Sequence, residues 1–452
     1  MLDIVVLAAG QGTRMKSSLP KVLHPIGGKP MLGHVLDSAR QLGDAKIHLV
    51  VGHGSERVQE SFAAADVDFV SQTEQLGTGH AVQQALPVLR QNSTVLILYG
   101  DVPLTPSSLL KQLVDCVSED SMGLLTVNLK DPTGYGRIIR NDQHDVVAIV
   151  EQKDATEEQL VIREGNTGMM AVASEDLKRW LPALSAENAQ GEYYLTDIIA
   201  MAQAEGKRIV TEKVENEYLV QGVNNRHQQA QLERYYQLSQ AEQLMQAGVT
   251  LLDPERFDCR GSLSVGRDVV IDVNCVFEGD VILGDGVVVG ANCVIGNCSI
   301  GTGTQIKPFT SIDGAQMAED CDIGPYARVR PGTVLAKGAK LGNFVETKKA
   351  NIGEGSKVNH LTYIGDSDIG SKVNVGAGTI TCNYDGVNKS KTTIGDGAFI
   401  GSNSSLVAPV TIGAGATVGA GSTVTSEVPD DHLGVARGKQ RNIKNWKRPV
   451  KQ

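Results

Sequence analysis

The stretch that decides the fold of half this chain is Val281-Ile282-Leu283-Gly284-Asp285-Gly286-Val287-Val288-Val289-Gly290-Ala291-Asn292-Cys293-Val294-Ile295-Gly296. An aliphatic residue followed by glycine recurs there every six positions, at Leu283, Val289 and Ile295. Outward from this point the beat reaches back to Ile271-Asp272. It runs forward through Ile300-Gly301, Ile312, Ile323-Gly324, Val329, Leu341-Gly342, Ile352-Gly353, Ile364-Gly365 and Val375-Gly376. After a break it resumes at Ile394-Gly395 and continues to Val418-Gly419. Short fixed repeats of this kind predict a parallel β-helix whose recurring aliphatic fills the interior while glycine helps the chain turn its corners. Three hexads per coil place residues 18 apart one above the other, at about 4.8 Å. Cys275 and Cys293 form such a pair and read as small core fillers rather than a disulfide.

The rest of the chain is built differently. Of the 50 glycines, 30 lie between residues 261 and 440. A length of 452 residues predicts two to three domains at about 150 residues each. The balance of 42 basic against 52 acidic side chains, net −10, argues against a nucleic-acid binder relying on an overall basic field. No apolar run approaches the roughly 18 residues of a membrane span. The opening Met1-Leu2-Asp3-Ile4 lacks the basic start of a signal peptide. Seven cysteines, an odd number without a CxxC pair, disfavour both a disulfide scaffold and a zinc ribbon. The expected compartment is the cytoplasm.

Leu2–Ala8 is a short apolar run ending in glycines, as for a buried parallel strand, and similar runs recur at 47–51 and 95–99. Helical patterns at 31–42 and 80–89 lie between them. This alternation predicts an α/β domain with ligands at the carboxyl ends of the strands, where the glycine turn at 10–12 and Asp101 fall. Residues 225–249 read as a connecting helix. The expected domains are 1–226, a linker helix 227–247, and a β-helix with a basic tail at 248–452.

The first strand leads into Leu7-Ala8-Ala9-Gly10-Gln11-Gly12-Thr13-Arg14-Met15, with Lys21 beyond. A glycine turn at a strand end offers backbone N–H groups to phosphate, and Arg14 and Lys21 add charge. Met15 replaces the third glycine of a dinucleotide fingerprint, and no Walker A sequence occurs, so an NAD enzyme or P-loop ATPase is disfavoured. Taken alone, Asp101 reads as readily as a turn or cap residue. In the repeats, Arg330 and Lys348 are 18 apart, each following an inward aliphatic slot. Two stacked cations repel unless an anion sits by them, so a phosphate clamp competes here with a solvated face. The period breaks between Thr381 and Thr393, as at a functional loop. A zinc-dependent β-helix enzyme would need a histidine cluster, whereas these repeats hold only His360. The tail from Arg437 carries seven basic residues and no acid, which suits a solvated terminus or a polyphosphate partner.

The run LAAGxGTRM…LPK resembles the sugar-phosphate nucleotidyltransferases. Together with the repeats, the whole chain is similar to the bacterial bifunctional N-acetylglucosamine-1-phosphate uridylyltransferase/glucosamine-1-phosphate N-acetyltransferase family. The resemblance implies a Rossmann-like nucleotidyltransferase domain, a linker helix and a left-handed β-helix. It implies UTP contacts at Leu7, Ala8, Ala9, Gly10, Lys21, Gln72, Gly77 and Thr78, with nucleotide sugar also bound by Tyr99, Gly100, Asp101, Gly136, Glu151, Asn166 and Asn224. Asp101 and Asn224 become Mg²⁺ ligands. His360 becomes the general base of acetyl transfer. Arg330, Lys348, Tyr363 and Asn374 become glucosamine 1-phosphate contacts; Ala377, Asn383, Tyr384, Ser402, Ala420 and Arg437 become acetyl-CoA contacts. Asn383 and Tyr384 also match contacts to the sugar phosphate and its amine. The resemblance further implies a homotrimer, and a product, UDP-N-acetylglucosamine, that feeds peptidoglycan and lipopolysaccharide synthesis. Neither nucleic acid nor membrane insertion is expected. Two rival readings stay open: a single-function nucleotidyltransferase with a structural β-helix, and a sugar-nucleotide sensor that binds without turnover.

Overall fold

A computed structural model describes residues 1–451 of the chain. It divides into two compact units, Met1–Tyr236 and Gln237 onward. The division falls within one helix, Arg226–Gln246.

The first unit is built on a nine-stranded sheet. Its strands in chain order are β1 (Leu2–Ala8), β2 (Ala45–Val51), β3 (Asp68–Ser71), β4 (Thr94–Tyr99) and β5 (Ser121–Asn128). They are followed by β6 (Arg137–Arg140), β7 (Val146–Val150), β8 (Glu164–Ala173) and β9 (Arg208–Val214). The spatial order is β9-β5-β8-β4-β1-β2-β3, with β6 and β7 attached beside β8. β1 lies parallel to both β2 and β4, whereas β8 runs antiparallel to β4 and β5. The continuous apolar run of β1 has a direct cause, since both of its faces are covered. Val5 and Leu7 enter one core with Val50 and Ile97; Ile4 and Val6 enter the other with Leu36, Leu49 and Leu96. The chain winds away from β1 in both directions, so a crevice opens at the carboxyl ends of β1 and β4. A hydrogen bond from Gly100 N to Leu7 O, 2.9 Å, joins these two ends.

The second unit is a parallel β-helix. Eleven strands, from Thr250–Leu251 to Leu433–Gly434, form one face in chain order. Most are two residues long, the first outward and the second inward. Ile271, Val289, Ile306, Ile323, Leu341, Val358, Val375, Ile400 and Val418 make one buried column. Longer strands such as Glu346–Ile352 and Tyr363–Ile369 turn from the second face onto the third. All seven cysteines are free, and Cys275 and Cys293 are buried in the core.

Two expectations need correction. The coils are not of uniform length: Val276 pairs with Val294 at the full spacing, but Val294 pairs with Ser311, a residue short of it. The register slips where the corner Gly279-Asp280 faces Asn297 alone, which takes a left-handed turn at φ 48° and saves a residue. The slot before Lys348 is also not aliphatic. Thr347 fills it, fully buried, with its hydroxyl 3.1 Å from that of Thr333. The predicted break in period is a loop carried outside the coil, between strands Ile380–Cys382 and Thr392–Ile394. Asn374 consequently pairs with Phe399.

Candidate functional site

In the first unit, a cavity of about 440 Å³ opens at the crevice between β1 and β4. It is lined by the predicted residues Leu7, Ala8, Ala9, Gly10, Lys21, Gln72, Gly77, Thr78, Tyr99 and Asp101. The turn after β1 owes its shape to Gly12, at φ 62°, where a Cβ would fall 2.8 Å from that of Lys21. That close approach seats the lysine beneath the loop. Gln72, at the end of β3, is buried; its amide nitrogen lies 3.3 Å from Gly77 O and 3.0 Å from His80 Nδ1. Gly77, at φ 113°, precedes the helix Thr78–Ala85, and a Cβ on it would strike the backbone of Tyr193. Thr78 Oγ1 accepts from Leu195 N at 3.1 Å, which fixes the far wall.

Lys21, Asp101 and Asn224 meet although 203 residues separate the first from the last. Val223 N donates to Asp101 O at 3.0 Å and so delivers Asn224 to the end of β4. The Lys21 ammonium pairs with Asp101 Oδ2 and donates to Asn224 Oδ1 at 3.2 Å. A cationic group thus sits where two hard oxygen donors converge. That donor set fits Mg²⁺, which takes one or two protein oxygens and completes its shell with water and phosphate. Among the described residues no group of three or more His, Cys, Asp or Glu could hold a metal ion.

Gly136, just before β6, and Glu151, just after β7, come together with Asn166 on β8. Asn166 N donates to Gly136 O at 2.9 Å, and a Cβ on Gly136 would lie 3.3 Å from Glu151 Oε1. Burial pushes the Glu151 carboxyl above its ordinary value, with Asp154, Asp197 and Glu192 adding to the rise against a hydrogen bond from Thr196. Burial, then Glu151 and Asp101, likewise raise the Tyr99 phenol. The Tyr99 ring packs on Gly168, where a Cβ would come within 2.7 Å of its Cζ. Tyr99 therefore lies between the Glu151 side of the crevice and Asp101.

Sequence reasoning missed Gln11, Val22, Gln75, Ala81 and Glu192, which also line this cavity. Gln11 lies inside the quoted run Leu7–Met15, and Gln75 lies between the predicted contacts Gln72 and Gly77; Glu192 arrives from a distant loop and left no sequence signal. Arg14, read as supplying charge to a bound phosphate, is exposed and does not line the cavity.

In the second unit the predicted residues occupy two corners of the β-helix. His360 ends the first-face strand Lys357–His360 and pairs in register with Asn343. Its carbonyl accepts from Gly378 N, one coil on. Ala377 O accepts from Asn403 N and Ser402 O from Gly421 N, each at 2.8 Å. Arg437 Nη1 donates to Ala420 O at 2.6 Å. His360, Ala377, Ser402 and Ala420 therefore form a column on successive coils, closed by Arg437. Asn374 lies on the same face, at the start of the strand Asn374–Val375.

Arg330 and Lys348 lie at the other corner, between the second and third faces. The register Val329↔Thr347 puts them on neighbouring coils. Arg330 already has an anion, Glu346 at 2.7 Å. Lys348 has none among the described ion pairs. Lys389 first, then Arg330 and Lys349, hold its ammonium below the ordinary value. A Cβ on Gly365, next in this column, would collide with Tyr363 Oη and lie 2.8 Å from Asn383 Nδ2. Tyr363 and Asn383 thus converge on the cationic corner, where Asn383 is held by Asp366 Oδ2 at 2.5 Å. Tyr384, in the same loop, is exposed and donates to Gly386 O. Residues 437–451 are exposed and contain neither helix nor strand.

Within one chain, then, the histidine column and the cationic corner stay apart, separated by the second face. Sequence reasoning passed over Asn343, Glu346 and Lys389. Asn343 pairs with His360 and Glu346 with Tyr363 across shortened coils, an offset that a strictly uniform repeat hides.

Residues 4–204 match the family described as MobA-like NTP transferase domain. Residues 259–345 match the GMPPB C-terminal domain, and 391–426 the bacterial transferase hexapeptide of six repeats. The chain is 66% identical to the bifunctional protein GlmU of Cellvibrio japonicus over 452 residues, all of both chains. It is 64% identical to that of Saccharophagus degradans, again over all of both chains. It is 60% identical to that of Marinobacter nauticus, over all of this chain and 99% of the other.

Proposed function

We infer that this chain, which belongs to the bifunctional GlmU family, makes UDP-N-acetylglucosamine through two separate activities. It acetylates glucosamine 1-phosphate with acetyl-CoA, and it transfers UMP from UTP to N-acetylglucosamine 1-phosphate with release of pyrophosphate. Both substrate sets are small molecules, and the product feeds peptidoglycan and lipopolysaccharide synthesis. Among the described residues no helix is long and apolar enough to cross a membrane; the cytoplasm is our reading of its location.

The observation that carries the first activity is the meeting of Asn224 with Lys21 and Asp101, two residues of the cavity wall. The Gly10–Gly12 loop presents N–H groups to the triphosphate, and Gln72, Gly77 and Thr78 grip the base. Gly136, Glu151 and Asn166 hold the sugar, whose 1-phosphate oxygen attacks the α-phosphorus in line with the departing pyrophosphate. Mg²⁺ held by Asp101 and Asn224 would neutralise phosphate charge as it develops. Lys21 stabilises the charge that builds on the equatorial oxygens.

For acetyl transfer, the cationic corner of Arg330 and Lys348 takes the sugar phosphate, with Tyr363, Asn374 and Asn383 against the sugar. The column Ala377, Ser402, Ala420 and Arg437 runs along acetyl-CoA, with Tyr384 beside it. His360 takes a proton from the amine as nitrogen bonds the thioester carbon; the C–S bond then breaks and the proton passes to the departing thiolate. His360 and the cationic corner do not meet in one chain, so we place this site between β-helices of neighbouring copies in a homotrimer. Neighbouring corners can then supply the two halves.

The test supplies glucosamine 1-phosphate, acetyl-CoA, UTP and Mg²⁺ and follows free thiol and pyrophosphate separately. Release of both, with pyrophosphate dependent on acetyl-CoA, is expected. Pyrophosphate from N-acetylglucosamine 1-phosphate with no thiol release from glucosamine 1-phosphate would make the β-helix a scaffold.

A further inference from the structure

Among the described residues, the one hydrogen-bond partner of the His360 ring is Asn343, whose Oδ1 lies 2.9 Å from Nδ1. An amide oxygen only accepts, so Nδ1 is the donor, and in the neutral ring this tautomer leaves the lone pair on Nε2. The contact is built into the fold. Asn343 and His360 are register partners on the adjacent strands Lys340–Asn343 and Lys357–His360. Strand spacing of about 4.8 Å brings the two side chains within reach. The backbone beneath the ring is held as well. His360 O accepts from Gly378 N at 3.3 Å and from Thr362 Oγ1 at 2.6 Å, and Leu361 N donates to Asn343 O at 3.0 Å. Glu346, three residues after Asn343, is engaged by Arg330, so the partner of the ring is a neutral amide. A carboxylate there would stabilise the imidazolium; an amide orients the ring without doing so.

We propose that Asn343 is a positioning residue for acetyl transfer: its side-chain oxygen holds Nδ1–H of His360 and keeps Nε2 free to receive the proton of the amine. The proposal rests on the reading of His360 as the base. Asn343→Leu should lower kcat for acetyl transfer about tenfold, the usual worth of one hydrogen bond. KM for glucosamine 1-phosphate and acetyl-CoA should stay within about twofold of wild type, since a positioning contact acts on kcat alone. An unchanged circular-dichroism melt of the β-helix reports that the unit carrying the substitution is folded. Asn343→Asp should remain active, with the acid limb of its pH–kcat profile moved upward by about one unit. In a His360→Ala background, Asn343→Leu should cost nothing further, because the two act as a unit. An Asn343→Leu enzyme with unchanged kcat, or one that slows His360→Ala by the same factor, would overturn the proposal. A His360→Ala enzyme with undiminished kcat would instead overturn the assignment of the base beneath it.

Discussion

The two candidate sites solve one problem, holding phosphorylated substrates, in opposite ways. In the first unit the groups come from strand ends that converge on one concave crevice, so a single chain encloses the cavity. The β-helix spreads its candidate residues over two corners instead. Coils stack without bending inward, so the candidate side chains stand on corners, an exposed His360 on one and a half-buried Lys348 on another. A sheet whose strands end at a common edge gathers residues by itself; a prism disperses them. What the prism supplies instead is vertical order, which suits a long ligand lying along a column.

The comparison breaks most sharply at Asp101. Asp101→Ala should cut uridylyl transfer by ~10³ or more, the worth of several kcal/mol of charge stabilisation, with acetyl transfer nearly intact. Both rates falling together in a folded protein would contradict two separate sites. His360→Ala should do the reverse, slowing thiol release by roughly 10²–10⁴ and sparing pyrophosphate release. The shared nature of the second site is tested by mixing. If one copy supplies His360 and its neighbour Lys348, co-assembled His360→Ala and Lys348→Ala chains should regain about a quarter of wild-type acetyl transfer by random pairing. An Asp101→Ala and Lys21→Ala mixture should regain no uridylyl transfer, because that site is complete in one chain. Restoration confined to the second mixture would reverse the contrast.

The smallest effect concerns the buried wall of the first cavity. Burial raises the Glu151 carboxyl, so the folded state holds its proton more tightly than the unfolded chain does. Its favourable contribution is full below the unfolded value and is lost as pH rises through the folded one. Glu151→Gln should therefore melt higher than wild type at pH 7, and the gap should close as pH falls below 4.5. A gap that widened towards low pH would show Glu151 to be favoured as the anion.

Much of the placement of both candidate sites was legible because their signals are local. The glycine turn after Leu2–Ala8 and the aliphatic beat of the coils depend on neighbours within a few residues, and the structure keeps both. Glu192 and Asn343 left no such mark. Glu192 reaches its cavity through the backbone pairing of Tyr193 with Leu76 and Gly79. Asn343 reaches His360 only because their coil closes a residue short of three full hexads.

The sequence by itself determined that an α/β unit precedes a β-helix, since apolar periodicity dictates which face of each short element must be buried. Only the tertiary structure decided which residues share a corner and which lie a face apart. The length of a coil is set at its corners, by a left-handed Asn297 or a loop carried outside at 383–391, and a single residue gained or lost there shifts every later position along the column.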